Sequence, residues 1–387
     1  MQYRCLIIGN PFSVWTREYV REIHIRHHDQ VSITMFDEHR DPLYVQAYEE
    51  MGVSLIPVGK GSGAAEKVKK LFRLLHLACG SRRNKTYDLV EIHYPPHSLQ
   101  AYVLALFLKI IRVPSLVVFW GSDILTITRR EAGRLGKVLS AATAINRMSK
   151  HTYEAFSSFY GHKYDDRILP RQLGFGTLAL PYIRRLMDKS SRAECKAEYG
   201  ITENILCVAV GYNGRRRQQH VAVMRELSRL PRESRDRIHL LLHLSGGDEP
   251  AYKDEVAQEL ARSGLRGTIV TETLDFDAIS HMRCATDVFI HAQPTDGLSG
   301  SMRECLYAGA IVVNPSWIHY DELLALGIEY VQYDDFSQLN GIMERILSGE
   351  LRVDTGRNRE LISSQYSWES MYSDWIEAFD ALIGKRE

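Results

Sequence analysis

The chain has 387 residues, 45% hydrophobic and 25% charged, with 48 lysines and arginines matched by 48 aspartates and glutamates. That length exceeds what one hydrophobic core usually supports, so two domains are expected, and the proportions exclude wholesale disorder and low-complexity or collagen-like repeats. Zero net charge removes the global electrostatic reason to expect nucleic-acid binding, so any anion site must be local.

From the N-terminus, Cys5-Leu6-Ile7-Ile8 reads as a strand turning at Gly9, an apolar run too short for a signal peptide. Thr16 to His24 follows as a helix, then strands at Val31 to Phe36 and Ser54 to Val58, and a helix from about Ala64 to Ala78. Leu89 to His93 is a strand, Ser98 to Ile111 a helix, and Ser115 to Trp120 and Ala141 to Asn146 are strands. The most apolar stretch, Tyr102 to Ile111, contains Lys109 and falls well short of the roughly 20 residues that span a bilayer. Strands and helices alternating in this way predict a parallel sheet covered on both faces.

Leu169 to Asp188, broken by Pro170, Gly174, Gly176 and Pro181, is expected to be a linker. The alternation then restarts with strands at Ile205 to Val210, Ile238 to Leu244, Thr268 to Val270, Val288 to His291, Ile311 to Val313 and Tyr330 to Gln332, with helices between several of them. The expected fold class is α/β, with one domain over residues 1–176, a second over 177–367 and a cleft between them. The final helix, within 368–387, carries Trp368, Met371, Tyr372, Trp375, Phe379 and Leu382 on one face. It packs on the second domain or on the first, a choice the sequence leaves open. The six cysteines are scattered, without the short paired spacings of a zinc or redox site, so no metal is expected and a reducing, cytoplasmic setting is.

Chemistry concentrates between Asp287 and Ser316. An apolar strand runs into Pro294-Thr295-Asp296-Gly297-Leu298-Ser299-Gly300 and then a helix over Ser301 to Ala308. Unpaired amides and the positive dipole end at a helix start favour a phosphate, and the glycines let it approach the backbone. Asp296 and Glu304, eight residues apart, flank this cradle. The bland alternative is that Asp296 caps a turn and Glu304 makes a surface ion pair. A second feature is Gly211-Tyr212-Asn213-Gly214-Arg215-Arg216-Arg217, again between strand and helix. Three arginines beside a dipole's positive end call for an anion, which guanidinium groups grip through charge-assisted hydrogen bonds. A solvated basic turn is the alternative. A weaker glycine turn, Ser245-Gly246-Gly247-Asp248, lies between them.

This combination resembles the retaining glycosyltransferases of family 4, which have the GT-B architecture of two Rossmann-like domains with parallel sheets facing a central cleft. The resemblance rests on Gln293-Pro294-Thr295-Asp296, Glu304-Cys305-Leu306-Tyr307-Ala308-Gly309 and the strand Ile311-Val312-Val313. It implies a nucleoside-diphosphate sugar as donor substrate, no separate cofactor, Glu304 on the ribose, Asp296 facing the sugar, and the amides of Gly297, Leu298 and Ser299 on the diphosphate. Arg215 or Arg216 would neutralise the leaving group. The family's lysine is replaced by Gln218, Gln219 or His220, leaving Arg217 as the substitute cation, while Asp296 stands where the family usually has glutamate. Gly214 and Gly246 would line the donor pocket. Asn213, Gly214 and His220 also resemble residues of the fucosamine transferases of enterobacterial antigen synthesis.

In the N-terminal half, Gly9-Asn10-Pro11 resembles the family's loop that touches the donor phosphate and the acceptor. Trp120-Gly121-Ser122-Asp123 resembles its histidine-glycine-x-aspartate turn, with tryptophan in the histidine's place. His93 ends a strand as a proton handler or a structural histidine. If the reaction inverts configuration, His93 or Asp123 is the base; if it retains, the departing phosphate takes the acceptor's proton. A glycan, a lipid-linked glycan or a small molecule is the acceptor. The basic stretch from Lys67 to Lys85 suggests peripheral contact with an anionic membrane. A nucleotide-sugar epimerase and a non-catalytic partner subunit of the same fold are the alternative readings.

Overall fold

A computed structural model of the chain describes residues 2–35, 41–59, 63–247 and 249–384. Phe36 and Asp248 lie outside the described residues, as does the Lys67 side chain. The chain forms two compact units, Met1–Gly176 with Trp368–Glu387, and Thr177–Ser367.

The first unit holds seven strands, β1 (Arg4–Ile8), β2 (Gln30–Met35), β3 (Ser54–Pro57), β4 (Leu89–His93), β5 (Ser115–Val118), β6 (Ala144–Arg147) and β7 (Ile168–Gln172). They pair in the order β3-β2-β1-β4-β5-β6-β7, every pair parallel. The central strands β4 and β5 are buried along their whole length, as a sheet covered on both faces requires. The helices Ala64–Asn84, Gln100–Ile111 and Arg129–Ala141 turn Leu74, Ala78, Leu104, Phe107, Leu135 and Leu139 into one core with Val90, Ile92 and Val117 of the sheet.

The second unit holds β8 (Leu206–Val210), β9 (Ile238–His243), β10 (Gly267–Val270), β11 (Val288–Ile290), β12 (Ile311–Pro315) and β13 (Val331–Tyr333). Their order is β10-β9-β8-β11-β12-β13 and all pairs are parallel. In each sheet the direction of winding reverses once, between β1 and β4 and between β8 and β11. Loops leaving such a pair diverge to opposite faces and open a crevice at the carboxyl ends of the strands.

The segment expected as a linker is instead structured. Ile168–Gln172 forms the edge strand β7, where Pro170 is tolerated because its missing N–H faces away from the ladder. Leu180–Met187 is a helix with Pro181 in its first turn, where no intrahelical donor is required. The expected first helix is an α-helix over Val14–Tyr19 continued by a π-helical turn over Val20–Ile25. The helices Arg129–Ala141, Lys150–Tyr160 and Phe276–Ala285 have no counterpart in the sequence reading.

The Trp368–Ile383 helix packs within the first unit. Trp375 is fully buried, its Nε1 donates to the Gly174 carbonyl at 2.8 Å, and its ring lies 4.8 Å from that of Tyr19. Arg171 pairs with Asp374 and Glu377 at 3.0 and 2.9 Å along the rim. A Cβ at Gly174 would stand 2.5 Å from Met371 and one at Gly176 2.4 Å from the Trp368 ring, so these glycines are fixed by close packing. Among the described residues no helix is long and apolar enough to cross a membrane. Trp375→Ala is expected to destabilise the first unit by about 3–5 kcal/mol, the usual cost of truncating a buried aromatic, measured by denaturant unfolding followed by tryptophan fluorescence.

Candidate active site

In the second unit the two loops that leave the reversal point are tied together. The Gly211 amide donates to the Ile290 carbonyl at 3.2 Å. The Gln219 side-chain amide donates to the Ala292 carbonyl, and Arg217 Nη2 donates to the Thr295 carbonyl at 2.7 Å. The arginine loop after β8 therefore lies against the loop that leads from β11 into the Gly300–Ala308 helix. Ser299 caps that helix, its hydroxyl accepting from the Met302 amide at 3.1 Å. Its own amide faces the Tyr320 hydroxyl at 3.4 Å, so of the three predicted cradle amides Ser299's already has a partner within the protein. Among the described residues, those of Gly297 and Leu298 have none.

The arginine triplet divides. Arg216 turns toward the Pro250–Ser263 helix, pairing with Glu255 at 2.7 Å and lying over the Tyr252 ring at 4.6 Å. Its charge is thus matched by Glu255 and not left open as that of Arg215 is. Arg217 is half-buried and serves the Thr295 carbonyl. Arg215 remains exposed and, among the described residues, meets no carboxylate. It runs along Gly247, where a Cβ would stand 2.6 Å from Arg215 Cγ. Gly214 is pressed against the turn after β9: its amide donates to the Ser245 carbonyl at 3.0 Å, and a Cβ would lie 2.4 Å from the Leu244 carbonyl oxygen and 2.9 Å from that of Gly246. Gly246 itself is exposed with φ of 68°.

Both predicted acids have partners that sequence did not reveal. Asp296 Oδ2 accepts from the Tyr320 hydroxyl at 2.6 Å and lies 3.9 Å from His291 Nε2. His291 is fully buried, and burial lowers its pKa despite the nearby charge of Asp296. Its Nδ1 meets Asn314 at 2.8 Å and its Nε2 meets Gln293 at 3.0 Å, and Gln293 donates on to the Tyr212 hydroxyl at 2.6 Å. Glu304 is buried, and its Oε2 accepts from Arg283 Nε at 3.0 Å. This is a buried pair, not the surface pair that the bland reading expected. Arg283 also donates to Ser301 at 2.9 Å, while its buried Nη1 has no hydrogen-bond partner. Neither Arg283 nor Tyr320 carries a sequence signal, since each reaches the site from a different helix or loop.

In the first unit, Gly9 follows β1 and His93 ends the adjacent strand β4, and a Cβ on Gly9 would stand 3.2 Å from His93 Cβ. Asn10 accepts the Phe12 amide at 3.0 Å and so spends its side chain on its own turn. His93 is buried on Glu91, Nε2 to Oε2 3.4 Å, and its Nδ1 has no hydrogen-bond partner. Glu91 belongs to a fully buried chain: His24 bridges it at 2.8 Å to Asp29 at 2.9 Å, and the Tyr19 hydroxyl donates to its other oxygen. Burial opposes charge on His24, but the two carboxylates outweigh it and raise its pKa; burial likewise opposes charge on Glu91, yet His24 and His93 hold it below the usual carboxylate range. Cys5 completes a converging trio with His24 and Glu91, all within 4.8 Å, in which burial pushes the Cys5 thiol up to about 11 and the opposite charges are those of His24 and Glu91. A glutamate inside the otherwise apolar Leu89–His93 was the available clue.

Asp123 faces inward. Its carboxylate accepts the Trp120 amide at 3.1 Å and the Gly121 amide at 2.9 Å, holding a turn in which Gly121 has φ of 112°. Burial pushes its pKa up to about 7 against those amides. Trp120 is stacked between Phe175 at 3.6 Å and Tyr94 at 5.1 Å, and Tyr94 itself sits at φ of 53°.

No family model matches the chain, and no curated protein matches it in sequence. Solved structures do match along the whole length. HepE of Anabaena in complex with UDP and glucose superposes with a TM-score of 0.76 at 15% identity, covering 98% of this chain and 100% of that one. A glycosyltransferase from Rickettsia africae gives 0.77 at 13% identity, covering 100% of both chains. The sucrose-phosphate synthase of Thermosynechococcus elongatus gives 0.73 at 14% identity over 99% and 100%. The fold is GT-B, with one Rossmann-like sheet in each unit.

Two measurements check this description. Because the atom facing a new Cβ is a backbone carbonyl that cannot rotate aside, Gly214→Ala is expected to destabilise the second unit by about 1–3 kcal/mol in denaturant unfolding. His220 and His243 are buried, and burial pushes their pKa values down to about 4 and about 3. Unfolded histidines titrate near 6.5, so the stability these two contribute is complete above that pH and is lost as pH falls from about 6.5 toward 4, by at most about 1.4 kcal/mol per pH unit for each. Unfolding free energies between pH 7 and 4 should show this slope, and His220→Gln should reduce it by the share of one histidine.

Proposed function

We propose that the protein is a glycosyltransferase that moves a sugar from a nucleoside-diphosphate sugar to a hydroxyl acceptor, with retention of configuration and without a metal ion. The carrying observation is the junction of the two loops at the reversal of the second sheet. There the free amides of Gly297 and Leu298 and the helix start behind them lie in one loop and helix between Asp296 and Glu304, and Arg217 holds against that loop the one that carries the exposed Arg215. Amides, dipole and guanidinium match a diphosphate; the two carboxylates match the hydroxyls on either side of it. A neighbour of the same fold solved with UDP and glucose supports this reading.

In the transfer, the bond from the anomeric carbon to the diphosphate oxygen breaks while the acceptor oxygen bonds to the same face of that carbon. Negative charge grows on the leaving oxygen, and fixed donors aimed there lower the barrier without reorganising. Arg215 and the cradle amides supply them. The leaving phosphate takes the acceptor's proton, so no side-chain base is required. Glu304, oriented by Arg283, receives the ribose hydroxyls; Asp296, oriented by Tyr320, faces the sugar. The acceptor belongs to the first unit, at the ends of β1, β4 and β5, where Gly9, His93 and Tyr94 stand. A lipid-linked acceptor at the cytoplasmic face of a membrane suits the basic helices of that unit.

Calorimetric titration with UDP, GDP and dTDP tests the class and identifies the base; absence of heat with all three would reject the reading. Glu304→Gln is expected to weaken nucleotide binding about tenfold. Glu304→Ala should in addition lower stability by about 3–5 kcal/mol, because it strands the buried Arg283. Arg215→Ala is expected to reduce turnover at saturating donor by about ten- to a hundredfold, with Arg216→Ala near wild type. Equal losses in the two variants would contradict the division of the triplet.

A further inference from the structure

The helices Ala64–Asn84, Gln100–Ile111 and Arg129–Ala141 pack side by side on one face of the first sheet, each neighbour against the next. Their inward faces make the core. The outward face of the middle helix is apolar: Leu99 just before it, then Tyr102 and Leu106, are 70%, 49% and 44% exposed, at spacings that place them in one stripe. Phe72 on the neighbouring helix is 66% exposed. Isolated exposed apolar residues are ordinary, but a continuous stripe on a helix whose only polar residues are Gln100 and Lys109 is not.

Both flanks of the stripe are basic. Ala64–Asn84 carries six lysines and arginines against Glu66, and Arg129–Ala141 carries four against Glu131, in a protein of zero net charge. Both acids are engaged locally. Glu66 lies 3.4 Å from Lys69 and 3.8 Å from Arg73, and Glu131 closes the capping box of its own helix and faces His97 at 3.4 Å. On the far side of Arg129–Ala141 is a depression of about 370 Å³ lined by Arg129, Lys137 and Lys163 with Ser140, Tyr160 and Tyr164, and by no acid. Gly133 and Gly136 leave room for it.

We propose that this three-helix face docks on a bilayer rich in anionic lipid, with the Leu99–Tyr102–Leu106 stripe entering the headgroup boundary, the basic flanks lying over the surface, and the Arg129–Lys137–Lys163 depression receiving a lipid phosphate. Charge complementarity identifies the occupant. A nucleic-acid backbone would engage the flanks but has nothing apolar for the central stripe, whereas a bilayer has both. Tyr102 has the amphipathic ring that favours the headgroup level. The surface extends the sequence-based suggestion for Lys67 to Lys85 to two further helices, and it shares no residue with the donor site proposed in the second unit.

The test is flotation of the full chain with vesicles of phosphatidylcholine alone and of phosphatidylcholine mixed with phosphatidylglycerol. The chain should float with the mixed vesicles, remain unbound with the neutral ones, and dissociate as salt is raised. Arg129→Glu with Lys137→Glu, and separately Leu99→Asp with Leu106→Asp, should each lower the bound fraction at least about tenfold while melting temperature and UDP binding stay unchanged. Retained UDP binding with no flotation would overturn the membrane surface and leave the transferase reading intact. Flotation unaffected by either double substitution would overturn it too, as would a duplex DNA that binds more tightly than the vesicles. A dimer converted to a monomer by Leu99→Asp with Leu106→Asp would assign the stripe to a second copy instead.

Discussion

Arg217 donating to the Thr295 carbonyl is the contact on which the second unit's site depends. It joins a loop that ends one helix approach to a loop that begins another, across the point where the sheet reverses its winding. Without such a tie, two divergent loops would each be free to expose their amides to water. With it, the loop that presents the Gly297 and Leu298 amides is held against the loop that carries Arg215. Preorganised donors of that kind stabilise developing charge because their alignment is already part of the folding free energy. Gly214 seats the same arginine loop on a third one, since its missing side chain lets it rest on the Leu244 and Gly246 carbonyls of the turn after β9.

The acidic residues are oriented by neighbours that hold them in place. Glu304 is buried, and a buried carboxylate persists in charged form only if paired and hydrogen-bonded, which Arg283 provides. Asp296 receives the Tyr320 hydroxyl, and behind it His291, Gln293 and Tyr212 form a continuous polar chain to the arginine loop. The first unit repeats this strategy at greater depth. His24 held between Glu91 and Asp29 keeps charge in the core under His93, and the rings of Phe379 and Trp375 from the closing helix cover it. The closing helix thus contributes both apolar packing and the dry environment in which those ion pairs are strong.

The fold places three sets of groups on different surfaces. The loops proposed for anion recognition lie at the strand ends of the second unit, the histidine and aromatic residues at the strand ends of the first, and the basic and apolar helix layer on a face of the first sheet. The neutral total charge conceals this, because the acids are spread through the rest of the chain while the basic residues of three adjacent helices stand nearly unopposed.

Apart from β7, which the sequence reads as linker, and β6, which begins at Ala144 and not Ala141, local chemistry in the sequence was enough to determine the α/β alternation, the strands within a residue or two, and the loop from Pro294 to Gly300 that leads into a helix start. Each of these is encoded by neighbours along the chain: apolar runs, glycines and a helix start. The partner of Glu304, the partner of Asp296, the diversion of Arg216 to Glu255 and the buried His24 network were decided only in three dimensions, because each joins residues brought together by packing and not by spacing. Leu169 to Asp188 shows the same limit in reverse. Its prolines and glycines announce a break, yet an edge position, a helix's first turn and two tight contacts with Met371 and Trp368 each accommodate one of them, and those settings exist only once the sheet and the last helix are in place.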